Sequence, residues 1–168
     1  ITFEMGKGEG ARLGKVYSTA VTIQIILALI VVLLAEPFGL WFIDNKMTIP
    51  SERIPAAVWV LHFSVLSFVI NLLSVPQMAS ITAHERMSAY AYIGILDGSL
   101  RFLTALFIRY SSADRLVIYA ALMTLSSLLV RMAYGWYCRK HFEECRYRPV
   151  FEKELFKDMF TFAGWNFI

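Results

Sequence analysis

Charge is what this sequence has least of. Asp, Glu, Lys and Arg make up 17% of its 168 residues, against roughly 25% in an average soluble protein, and they are bunched rather than spread. Cysteine is scarce as well: Cys138 and Cys145 are too few for a disulfide framework. The Lys and Arg residues form no run interleaved with aromatics, which argues against a nucleic-acid partner. There is no initiator Met and no short signal-type stretch with a small-residue cleavage site. What fills the chain instead is apolar. Hydrophobic residues reach 58%, where soluble domains average about 45–50%, and the mean hydropathy is +0.57. That excess is too large for a core of this size, so disorder and a cytosolic globular enzyme are both poor readings.

The apolar residues fall in long runs. Residues 16–35 hold no charge, and about 20 residues at about 1.5 Å each cover the roughly 30 Å of a bilayer core. Glu36 and Pro37 are expected to end this first span, because proline cannot continue the backbone ladder. A second span is expected over 56–77, with a kink or end near Pro76. A third is expected over 88–108 and a fourth over 116–137. Residues 1–15 and 138–158 read as polar connections. In 150–160, Phe151, Leu155, Phe156 and Met159 share one helical face opposite Glu152, Lys153, Lys157 and Asp158, an amphipathic pattern suited to a membrane surface. Residues 159–168 read as the start of a fifth span that ten residues cannot complete, so the expectation is an internal fragment of a longer all-α, multi-pass membrane helix bundle.

Basic residues set the expected orientation. Lys7, Arg12, Lys15, Arg86, Arg139, Lys140, Arg146, Arg148, Lys153 and Lys157 fall on one side of these spans. Only Lys46, Arg53, Arg109 and Arg115 fall on the other. The first side is cytoplasmic by the positive-inside rule. Trp41, Trp59 and Tyr110 would mark the outer surface, and Tyr90, Tyr92, Trp136 and Tyr137 the inner one.

A few polar residues interrupt the runs. Asp97 and Arg101 are four residues apart and share a helix face, so they can pair. Unpaired, each would cost about 2.5–3.5 kcal/mol at bilayer depth. The pair is either part of an ion or substrate pathway or a device that fixes helix docking. Gly94 and Gly98 have the small-xxx-small spacing that admits a neighbouring helix. Arg131 lies toward the cytoplasmic side of its span and either forks onto a phosphate or snorkels to the headgroups. Gln24, Asn71 and Gln77 are expected to bridge helices or line a polar cavity. No enzyme or cofactor motif stands out. His84-Glu85-Arg86 lacks the second histidine of a zinc-protease signature, since position 88 is Ser. Cys138, His141 and Cys145 have a metal-like spacing without an evident fourth ligand, so no metal site is expected.

With the runs placed, the sequence resembles the Wzx-type polysaccharide flippases of the multidrug/oligosaccharidyl-lipid/polysaccharide exporter superfamily. The residues that carry the resemblance are Thr2-Phe3-Glu4-Met5-Gly6-Lys7-Gly8, Val75-Pro76 with Ala83-His84-Glu85-Arg86-Met87, the stretch from Tyr137 to Tyr147, and Phe162-Ala163-Gly164-Trp165-Asn166. The resemblance implies a fragment of a two-lobed, MATE-like fold of 12 or 14 helices, comprising about the third to sixth helices and the start of the seventh, with 138–158 in the link between lobes. It implies movement of a polyprenyl-pyrophosphate-linked oligosaccharide across a bacterial inner membrane, for O-antigen or capsule assembly, by alternating access. Arg101 and Arg131 are nominated to meet the pyrophosphate and Asp97 to couple a proton or sodium ion. These three roles come from the bottom-up reading, not from a family site. The alternatives are a related exporter of small molecules, and an integral-membrane enzyme or scaffold of polysaccharide assembly.

Overall fold

The structure, a computed structural model, describes residues 10–110, 114–142 and 145. Apart from short turns and connections these are helical, without a strand. The helices are α1 (Gly10–Asn45), α2 (Ile54–Leu72), α3 (Val75–Ala83), α4 (Met87–Tyr110) and α5 (Arg115–His141), with a short 3-10 turn at Ser51–Arg53 before α2. Four segments are long and apolar enough to cross a membrane, with α2 and α3 together forming the second. Their surface agrees. Leu33 is 71% exposed, and Leu34, Ile95, Phe102 and Phe107 are nearly as bare, a surface suited to hydrocarbon or to further apolar helices. The amphipathic segment expected at 150–160 and the partial span at 159–168 lie outside the described residues, as does most of the first connection.

The first span does not end where expected. α1 continues through Pro37 to Asn45. A proline inside a helix forfeits one ladder bond, but ending the helix there would leave several carbonyls bare in a medium without water, so continuing is the cheaper choice. The second span breaks near Pro76 as expected, and resumes. Pro76 occupies the first turn of α3, where its missing N–H costs nothing. The Ser74 hydroxyl donates to the Ile70 carbonyl at 2.8 Å, and the Leu73 and Ser74 N–H groups bond Val69 and Asn71 at 3.0 Å. The final span is longer than expected, because Cys138 to His141 belong to α5 rather than to a polar link. Arg139, Lys140 and His141 in its last turn favour this, since positive charge there complements the helix dipole.

α5 is the central helix. It packs along α2 on one side and α4 on the other, α1 lies against α2, and α3 fits between α1, α4 and α5. In its N-terminal half the buried residues are small or hydroxylated: Ala120, Thr124, Ser126 and Ser127. Such residues let backbones approach and supply hydrogen bonds between membrane helices. Thr124 Oγ1 donates to the Phe63 carbonyl at 2.9 Å, and the Ser67 and Ser127 hydroxyls meet at 2.9 Å. At the basic end, Tyr17, Ile81, Ala89, Ile93, Val130, Tyr134, Cys138, Phe142 and Cys145 form one buried cluster.

The α3–α4 turn holds His84-Glu85-Arg86. Arg86 N–H bonds the Ile81 carbonyl at 3.1 Å and Glu85 N–H bonds Thr82 at 3.0 Å, the helix-ending pattern that places its turning residue in the left-handed region. That residue is Glu85, at φ 54°, where glycine is favoured. Glu85→Gly is therefore expected to raise stability by about 1 kcal/mol, read as a higher melting midpoint in detergent. An unchanged or lower midpoint would contradict it.

Candidate functional site

The chemistry gathers where α2, α4 and α5 leave a gap. A cavity of about 200 Å³ is lined by Ser67 and Asn71 of α2, Asp97 and Arg101 of α4, and Met123, Ser126 and Ser127 of α5. α4 reaches this gap across α5 and does not pack closely on α2. The pair expected from the four-residue spacing is formed: Arg101 Nε donates to both Asp97 oxygens, at 3.0 and 3.1 Å. The Asp97 side chain is about a third exposed and that of Arg101 about half. Since only Nε is engaged, the two terminal nitrogens of Arg101 have no hydrogen-bond partner among the described residues, which leaves its forked donor edge for an anion.

Across the cavity, Asn71 Nδ2 donates to the Ser67 carbonyl at 2.8 Å and to the Ser127 hydroxyl at 3.3 Å. Asn71 therefore both bridges α2 to α5 and lines the cavity. Ser67, Met123, Ser126 and Ser127 were not legible as site residues in the sequence. The one available signal was the hydroxyl pair Ser126-Ser127 inside an apolar run, and serines of that kind serve packing equally well.

Arg131 does not join this cavity. It sits at the basic end, one helical turn past Ser127, where Tyr17 of α1 comes within its electrostatic reach and lies against Gln77 of α3. Its Nη1 is buried without a hydrogen-bond partner among the described residues, as are Thr19 Oγ1, Gln24 Oε1 and Gln77 Oε1. Cys138 Sγ donates to the Gln77 carbonyl at 3.4 Å. The two arginines nominated for one substrate thus occupy two separate polar places on α4 and α5.

The glycine expectation is not met by the described helices. A Cβ built at Gly94 or Gly98 meets nothing within 4 Å, so this face of α4 is open among the described residues. The close helix approach occurs instead at Gly39, where a Cβ would lie 2.6 Å from Leu61 Cδ1. Spacing motifs find paired glycines, and Gly39 is single. At the other end, no three His, Cys, Asp or Glu side chains come together among the described residues. His141 stacks on Tyr137, with ring centroids 4.3 Å apart, while Cys138 and Cys145 are buried.

Comparison with protein-family models, curated proteins and solved structures finds no match to this chain.

Proposed function

We propose that this chain is part of a non-enzymatic transporter that flips polyprenyl-pyrophosphate-linked oligosaccharide across a bacterial inner membrane by alternating access, supplying surface polysaccharide assembly. On this reading it contributes four spans to a two-lobed, MATE-like fold. The observation that carries the proposal is the cavity, which sets an ion pair and small polar side chains inside helices that are otherwise apolar. Ionisable groups at such depth are costly to keep, and mark substrate or ion pathways. At about 200 Å³ the cavity is smaller than the roughly 300–1,000 Å³ of pockets that enclose drug-sized ligands. It therefore suits a charged head group rather than a whole sugar chain.

The pair supplies a means of coupling. A phosphate arriving at the free edge of Arg101 competes with Asp97 for the guanidinium, and a released Asp97 carboxylate takes a proton or sodium ion to avoid standing alone. Arg131 offers a second cationic position nearer the basic end, with Tyr17 within its electrostatic reach. The small cavity also favours a second reading, an exporter of smaller molecules.

Arg101→Ala and Arg131→Ala in the full-length protein are expected to lower surface polysaccharide severalfold while the protein still inserts. Unchanged polysaccharide in both would remove these residues from the substrate path. Normal polysaccharide with increased sensitivity to small toxic compounds would favour the exporter instead.

A further inference from the structure

A second pair of ionisable groups lies inside the spans, away from the cavity. Glu36 Oε2 of α1 and His62 Nδ1 of α2 are 2.7 Å apart, with both side chains partly exposed. Glu36 precedes Asn45, the end of α1, by about 13 Å of helix, and His62 follows Ile54, the start of α2, by about 12 Å. The pair is thus more than two turns in from the α1–α2 connection. Its surroundings are specific. The Trp59 and His62 rings meet edge to face, with centroids 6.3 Å apart. Pro37, next to Glu36, leaves the Leu33 carbonyl without its ladder donor. One turn on, Gly39 allows α1 to close onto Leu61, the neighbour of His62.

We propose that Glu36 and His62 form a proton-binding site within the membrane-spanning part of α1 and α2, independent of Asp97. In the proton-free state His62 is neutral, its Nδ1–H donates to the Glu36 carboxylate, and the pair carries one negative charge. One proton adds at His62 Nε2, no bond breaks, and the pair becomes an imidazolium–carboxylate with no net charge. Histidine is the side chain suited to this exchange near neutral pH. The Glu36 carboxylate, 2.7 Å from Nδ1, is the counter-charge for that proton.

The neighbouring elements offer few competing charges. α1 has no other ionisable side chain between Tyr17 and Asp44, α2 has none besides His62, and α3 has none. α5, packed along α2, offers Tyr119 between Arg115 and Arg131. Asp44, Lys46, Glu52 and Arg53 lie near the α1–α2 connection, and Glu36 is the ion-pair partner His62 has among the described residues. By contrast the Asp97 carboxylate is already held on both oxygens by Arg101. The inference rests on the transport reading only for the use made of the proton.

The test is histidine-ring NMR of the full-length protein in lipid nanodiscs, with His62 assigned by His62→Gln and spectra taken from about pH 5 to 8.5. The expected result is that His62 gains one proton within this range. The pH response of the His62 ring should change in Glu36→Gln, change less in Glu36→Asp, and stay as in the unaltered protein in Asp97→Asn. Absence of titration in the unaltered protein, or the same midpoint in Glu36→Gln and Glu36→Asp, would overturn the proposal. The spectra of the unaltered protein and of Glu36→Asp decide the matter if Glu36→Gln does not fold. A vesicle flipping assay separates the two readings: the expected titration in a protein that flips nothing supports the proton site and overturns transport alone.

Discussion

Asp97→Asn is expected to reduce the folded yield of the protein by roughly tenfold or more and, on the transport reading proposed above, its surface-polysaccharide output by a similar factor. The substitution keeps the side-chain shape and removes the charge that Arg101 answers at 3.0 and 3.1 Å. A guanidinium without its partner at bilayer depth costs about 2.5–3.5 kcal/mol on insertion scales. Because Arg101 is about half exposed and a long side chain can reach water or headgroups, part of that cost is recovered, which leaves about one factor of ten. The double change Asp97→Asn with Arg101→Gln removes both charges, so it should restore folded yield and exceed the single variant in output. Equal yields and outputs for the unaltered protein, the single and the double variants would make the pair incidental. The comparison separates two effects that a single substitution mixes, the loss of a chemical group and the stranding of its partner.

Gly39→Val is expected to lower stability by about 1–3 kcal/mol, the usual range for overpacking a fitted contact. The β-carbon alone would stand 2.6 Å from Leu61 Cδ1 and 2.8 Å from Cδ2. Those atoms are the flexible end of a side chain, so Gly39→Ala can be absorbed by a Leu61 rotation and gains some helix propensity. It should lie near neutral. Valine adds two further methyl groups where no rotation clears both, and α1 has to move off α2. Leu61→Ala should rescue Gly39→Val and have little benefit alone. The check is a set of melting midpoints for the four variants, and a valine variant as stable as the parent would show that the helices separate without cost.

Membrane crossing was legible in the sequence because hydrocarbon imposes a simple requirement. Every span must be long, apolar and internally hydrogen-bonded, and the four runs satisfy this without reference to one another. The Asp97–Arg101 contact was legible for a similarly local reason: four residues on a helix bring two side chains together whatever surrounds them. The break near Pro76 followed from proline chemistry. The same chemistry misled at Pro37, where the cost of ending a helix in an apolar medium outweighs one lost bond.

What the sequence did not reveal depends on separations of many residues. Nothing in the one-dimensional pattern pairs Glu36 with His62, Asn71 with Ser127, or Thr124 with the Phe63 carbonyl. Nor does it tell that Gly39, alone, sits at a close approach while Gly94 and Gly98 face open space. The two nominated arginines looked equivalent on paper and proved to stand in different places, one on a cavity and one half-buried within electrostatic reach of Tyr17. By itself the sequence determined the helices, how many are long and apolar enough to cross a membrane, and their shortage of charge, because those follow from solvent and from contacts within one turn. Only the tertiary structure decided which polar groups share a cavity and which close into a clasp, because that depends on the choice of α5 as the central helix and on which faces it presents to α2 and α4.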